Sequence, residues 1–114
     1  MKPNAKDFHG KWRIHEMEDL DEEYLSMQVK PYILIQSNNL GEFQFGLVTG
    51  QIDGKIIDYP LGKRFEFTWE GSDECDPASG FGWLTHKGKN LVEGEIRFHL
   101  GDSHKLLAKR VKKT

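Results

Sequence analysis

Between Arg64 and Glu70 the chain reads Arg-Phe-Glu-Phe-Thr-Trp-Glu, with a ring at every odd position and a polar group at every even one. That period of two is the mark of a β-strand with one dry face. Val92-Glu93-Gly94-Glu95-Ile96-Arg97-Phe98-His99 repeats the pattern with its dry face on even positions. Glu42-Phe43-Gln44-Phe45 and Trp12-Arg13-Ile14-His15 read the same way. Tyr32-Ile33-Leu34-Ile35 is apolar throughout, which predicts cover on both sides.

Turn residues separate these runs. Ser37-Asn38-Asn39-Leu40-Gly41 parts two strands and Tyr59-Pro60-Leu61-Gly62 the next two. Gly88-Lys89 suits a two-residue hairpin turn, because glycine tolerates the positive φ at its first central position. That turn sets Trp83 opposite Gly94 and Phe81 opposite Ile96, on the dry face. Thr49-Gly50 and Asp53-Gly54 both qualify as turns, and the choice decides between seven strands and eight. Gly101-Asp102 precedes a last strand, Lys105–Val111. A two-residue turn there puts Leu107 and Val111 inside, whereas a three-residue loop puts Leu106, Ala108 and Arg110 inside.

One helix is predicted. Asp19-Leu20-Asp21-Glu22 resembles a capping box with an aspartate cap, and Leu20, Tyr24 and Met27 share a face at i, i+4, i+7. Pro31 limits its continuation.

Composition supports the strand reading. Only three alanines occur, Ala5, Ala78 and Ala108, beside 12 glycines, and helical domains use alanine far more freely. At 114 residues there is room for one domain with one core, residues 1–114, with 1–7 and 112–114 as frayed termini. Sequential antiparallel strands joined by short turns hide their edges best by curling into an up-and-down barrel. The predicted fold is therefore an all-β, antiparallel up-and-down barrel of seven or eight strands with one short helix. Lone Cys75 excludes an internal disulfide framework, and there is no apolar signal segment or membrane-length apolar run. A net charge of −2 gives no general attraction to nucleic acid or anionic lipid. The expectation is a soluble, cytoplasmic protein that binds neither nucleic acid nor membrane.

Two resemblances bear on the reading. Gly10-Lys11-Trp12 on the first strand and Arg110 on the last resemble the calycin pattern of lipocalins, fatty-acid-binding proteins and avidins. The likeness implies a tryptophan packed at the closed end of a barrel beside a basic residue of the last strand. The segment Trp69-Glu70-Gly71-Ser72-Asp73-Glu74-Cys75-Asp76-Pro77-Ala78-Ser79-Gly80-Phe81-Gly82-Trp83 resembles an uncharacterised family of small bacterial β-proteins. Gly41–Gly46 and Phe98–Asp102 share in that likeness, which runs from about Trp12 to Arg110 and implies no activity. Methionine is commoner at position 75 in that family, which speaks against a catalytic or redox role for Cys75.

Candidate chemistry falls in three places. Trp12, Phe45, Phe67, Trp69, Trp83 and Phe98, with Phe65, are expected to point into the barrel and to form a ligand-binding lining. An eight-stranded barrel either fills itself with such side chains or holds one small ligand. Glu70, Asp73, Glu74 and Asp76 lie within seven residues and could hold a Ca²⁺ or Mg²⁺ ion, although no EF-hand spacing is spelled out. The competing reading is turn chemistry, with Asp76 capping a helical turn and Pro77 and Gly80 bounding it. The third place is a histidine pair: a two-residue Gly101-Asp102 turn would set His99 opposite His104. No hydrolase or phosphate-loop signature occurs. The chain reads as a non-enzymatic barrel that takes a small apolar or aromatic ligand and no resident cofactor. The alternatives are a protein-interaction module using the acidic loop 70–76 and a cation-dependent enzyme on the same carboxylates.

Overall fold

In the computed structural model, which describes residues 8–111, eight antiparallel strands close into a barrel in strict chain order. They are β1 Gly10–Met17, β2 Tyr32–Ile35, β3 Leu40–Phe45, β4 Val48–Tyr59, β5 Gly62–Asp73, β6 Asp76–Gly88, β7 Leu91–Phe98 and β8 Ser103–Arg110. The termini read as frayed, 1–7 and 112–114, lie outside the described residues. Closure comes from β1 pairing β8, with Trp12 opposite Arg110 and Ile14 opposite Ala108. Each strand of the ring thereby pairs with two neighbours, which covers most of the edges an open sheet would expose.

The inward faces carry one continuous apolar cluster. Phe43, Phe45, Phe65, Phe67, Trp69, Ile33, Ile35, Leu84, Val92, Ile96, Leu106 and Ala108 are all buried. Rings touch along the lumen, Phe65 on Phe67 at 5.7 Å and Phe43 edge-on to Trp69 at 5.0 Å between centroids. The barrel is thus filled by its own side chains along this length. On β2 only Ile33 and Ile35 are buried, while Tyr32 and Leu34 are half-covered on the outer face, so the strand has one dry side.

The strand count is settled by a turn the sequence reading passed over. Gly46 and Leu47 connect β3 to β4, and Thr49-Gly50 and Asp53-Gly54 both lie inside the long strand β4. Gly46 has a φ of +55°, and a Cβ there would sit 2.2 Å from the Tyr24 ring. Only glycine meets both conditions without strain. Tyr24 belongs to the helix α1, Glu22–Leu25, which starts two residues later than predicted. Its cap is Asp21, whose Oδ1 accepts from the Tyr24 amide at 2.8 Å. Leu25 is the helix's buried residue, with Leu20 and Tyr24 packed beside it, whereas Met27 stays 54% exposed. Four residues are too few for the i, i+4, i+7 stripe to form.

Register sets which side chains of β6 and β8 face the lumen. In β6–β7, His86 faces Val92 but Gly88 faces Leu91, so Lys87 is the extra residue of a bulge and Lys89-Asn90 make the turn. Every pairing beyond it shifts by one: Trp83 faces Glu95 and Leu84 faces Gly94. A one-residue slip exchanges the two faces of a strand. Trp83 and Phe81 therefore stand on the outside of the barrel, not in it. In β7–β8 the Phe98 amide donates to the Asp102 carbonyl at 2.9 Å, leaving a three-residue loop, His99–Gly101. Leu106 and Ala108 accordingly face inward, and Ile96, not His99, lies opposite His104.

Tyr32 supplies a pH marker on the outer wall. Its hydroxyl donates to Glu42 Oε2 at 2.5 Å, and Lys11 Nζ lies 4.9 Å from its ring centroid. That hydrogen bond, then burial, then the nearby carboxylate charge push the phenol up from 10.0 to about 12. The folded state prefers the neutral phenol, so its stabilisation is complete below pH about 10 and is lost as pH rises to about 12. Phenolate absorbance should show one tyrosine titrating late, and Glu42→Ala should bring it back toward 10.0. A late tyrosine that persists in Glu42→Ala would refute this assignment.

Candidate functional site

The up-and-down order sends four connections to one end of the barrel and three, with the start of β1 and the end of β8, to the other, and the two ends differ. At the end holding the start of β1, Trp12 plugs the interior with no exposure. Its indole N–H donates to the Phe8 carbonyl at 2.9 Å, and the Arg110 guanidinium lies 4.3 Å from its ring. Arg110 Nη1 donates to the His9 carbonyl at 2.7 Å. Phe8 and the His86 ring, 4.6 Å apart, complete the plug. The expected contact between a first-strand tryptophan and a last-strand basic residue is present.

The other end is a cup. It is framed by the β1–β2 connection with α1 and by the hairpin ends at Gly46-Leu47, Glu74-Cys75 and His99–Asp102. Phe45 and Val48 form a buried floor, and Leu20, Tyr24, Ala78 and Phe98 form partly buried walls. The cup measures about 850 Å³. Beneath it, Trp69 meets Phe98 edge-on at 5.1 Å and donates its indole N–H to the Arg97 carbonyl at 3.3 Å. Asp19, Asp73, Asp76 and Asp102 stand around the rim with His99 and His104, and among the described residues no lysine or arginine lines it. The His104 ring lies edge-on to Phe98, 6.1 Å between centroids, and its Nδ1 lies 2.9 Å from the Glu18 carbonyl.

The six expected lining residues thus divide four ways. Phe45 and Phe98 line the cup, with Trp69 directly below, while Phe67 is buried in the packed middle. Trp12 is at the opposite end. Trp83 is outside, its ring beneath the Arg64 guanidinium at 4.3 Å and its N–H donating to Glu95 Oε1 at 3.3 Å. The three tryptophans share no site.

The four carboxylates divide as well. Asp73 and Asp76 face each other across the β5–β6 hairpin on the inward side, Glu70 lies outward opposite Ser79, and Glu74 occupies the turn at a φ of +60°. The Glu74 amide donates to the Leu47 carbonyl at 2.9 Å, which ties this turn to its neighbour. Asp76 opens a strand rather than capping a helical turn. Among the described residues no three His, Cys, Asp or Glu side chains come together to hold a metal ion. Cys75 is exposed in the same turn.

No protein-family model, curated protein or solved structure matches this chain. The cup itself is the feature of this barrel that suggests a role. Sequence reasoning could not find Leu20, Tyr24 or Asp19 as cup residues, because they arrive through the β1–β2 connection, whose seat over the barrel end no local pattern fixes. The run of six acids from Glu16 to Glu23 is visible in the sequence, but not that one of them, Asp19, meets Asp73, Asp76 and Asp102 at one end of the barrel.

Proposed function

We propose that this barrel is a binding protein whose cup takes a small ligand with an apolar or aromatic body and a positively charged head, such as a hydrophobic amine. One observation carries the reading: an apolar floor of Phe45 and Val48 with Phe98 in the wall lies under a rim of four aspartates, with no lysine or arginine among the described lining residues. Small-ligand sites join apolar contact surface to convergent polar groups, and the cup supplies both. Carboxylates above a poorly solvated floor favour a cation over an anion, and aromatic rings add to that preference. The packed lumen leaves the cup, not the barrel interior, as the place for the ligand.

Cyclohexylamine and cyclohexanecarboxylate separate the signs of charge on one apolar body. Amine at about 100 times its Kd should stabilise the protein by about 2.7 kcal/mol in a thermal melt, and the carboxylate should not. The shift should vanish in Phe98→Ala and in the double variant Asp73→Asn with Asp76→Asn. Equal shifts with both compounds, or a shift retained in the double variant, would overturn the reading.

A second reading has its own support. Glu70, Glu74 and the 94% exposed Leu100 project beside the same acidic end, a surface suited to a basic protein partner. Loss of such a partner on Glu74→Lys, with amine binding unchanged, would favour it over the cup.

A further inference from the structure

The outer wall of β4, β5 and β6 holds a slot unconnected with the cup. Antiparallel register lines up Asp53, Thr68 and Phe81 in one ridge across the three strands, and Lys55, Glu66 and Trp83 in the next. Between them the floor is the backbone of Gly54, Phe67 and Gly82. The ridges stand two residues apart, about 6.7 Å, and the slot spans two strand spacings, about 10 Å. Its volume is about 640 Å³.

The two ends of the slot differ in chemistry. On β6 stand two aromatic walls, Phe81 and Trp83, and Phe81 is 47% exposed. Ring pairs favour offset or edge-on contact, so an added flat ring is well matched there and an aliphatic bulk is not. Toward β5 and β4 the walls carry both signs of charge, Asp53 and Glu66 against Lys55 and Arg64. Arg64 stacks on Trp83 and reaches Glu66 only at 3.8 Å, and its Nε is buried with no hydrogen-bond partner. Among the described residues the ion pairs are Lys63–Asp58, Arg64–Glu66 and Lys87–Glu93, so Asp53 and Lys55 face the slot without one.

We propose that this slot binds a free aromatic α-amino acid. Its ring lies between Phe81 and Trp83, its ammonium group meets Asp53 and Glu66, and its carboxylate meets Lys55 and Arg64. Opposite charges set beside and beyond the rings select a zwitterion with a flat side chain, because a ligand lacking either charge leaves a slot group unpaired.

The test is calorimetric titration of the intact protein with L-phenylalanine, phenethylamine and 3-phenylpropanoate. Saturable binding of phenylalanine is expected, with each singly charged analogue at least tenfold weaker. Phe81→Ala, on an outer half-exposed position, should keep the wild-type melting temperature and weaken phenylalanine at least tenfold, while Phe81→Tyr should retain it. Lys55→Gln should bring phenylalanine down to the affinity of phenethylamine. Absent phenylalanine binding, equal binding of the analogues, or unchanged binding by Phe81→Ala would overturn the proposal. Loss of phenylalanine binding in the cup variant Asp73→Asn with Asp76→Asn would also overturn it by placing the ligand at the barrel mouth. The cup reading stands or falls separately, on cyclohexylamine.

Discussion

Truncating Trp12 to alanine is expected to destabilise the barrel by about 3–5 kcal/mol, the range for a fully buried large ring reduced to a methyl group. Trp12 has no exposed surface, so all of its apolar area is lost and a cavity opens at the closed end. Two further contacts go with it: the indole N–H donated to the Phe8 carbonyl and the ring face under the Arg110 guanidinium. Trp12→Phe separates these contributions. It keeps a ring for Arg110 but leaves the Phe8 carbonyl without that donor, a loss of about 1–3 kcal/mol. Denaturant unfolding at constant m-value measures both. A cost for Trp12→Ala below that of Trp12→Phe would show that this plug does not hold the end of the barrel.

Gly80→Ala should rank next, at the upper end of the roughly 1–3 kcal/mol typical of overpacking. An added Cβ would lie 1.8 Å from the Arg97 carbonyl oxygen and 3.0 Å from Trp69 Nε1. The first obstacle is backbone, so β6 and β7 must part to admit the methyl group. The same oxygen accepts the Trp69 indole N–H, so parting the strands disturbs the support beneath the cup as well. Gly88 is the matched control. A Cβ there meets only Leu91 Cβ at 3.9 Å, an ordinary contact. Gly88→Ala should therefore be neutral or stabilise by about 0.4–1 kcal/mol, through a less flexible unfolded chain. Equal losses at the two positions would refute the steric argument.

Local pattern carried most of the architecture. The alternation in Arg64–Glu70 and Val92–His99 is long enough to name a dry face, and both faces are where the pattern puts them. The rings of Phe65, Phe67 and Trp69 all lie buried on one side of β5. Trp83 shows where this reasoning stops. Its neighbours Gly82 and Gly88 have no side chain to mark a face, and the bulge at Lys87 has no signature in the order of residues. The hairpin could be recognised while its register could not, and register alone decides whether an indole is core or surface. The last strand was open for the same reason, since two-residue and three-residue loops fit Gly101-Asp102 equally well. Only the apolar partners Leu106 and Ala108 on the inner face show which one closes the ring.

The candidate site was less legible than the fold. Asp73 and Asp76 were visible as an acidic cluster, but whether a carboxylate points inward or outward depends on strand parity, which splits them from Glu70. Asp19 and Asp102 join them only because odd and even strands run in opposite directions around a closed wall. Proximity in three dimensions here comes from topology, and topology follows from ring closure rather than from any local run of residues.

The seam between β1 and β8 has a kinetic consequence. Seven of the eight strand pairings join neighbours in the chain, whereas the Arg110 contact with His9 spans 101 residues. The hairpins bear a small loop-closure entropy and can form early, while the seam must wait for a nearly complete cylinder to bring its lips together. Contacts at the seam, Trp12 with Arg110 among them, then act mainly as a latch. They slow the opening of a finished barrel and do little to hasten its assembly.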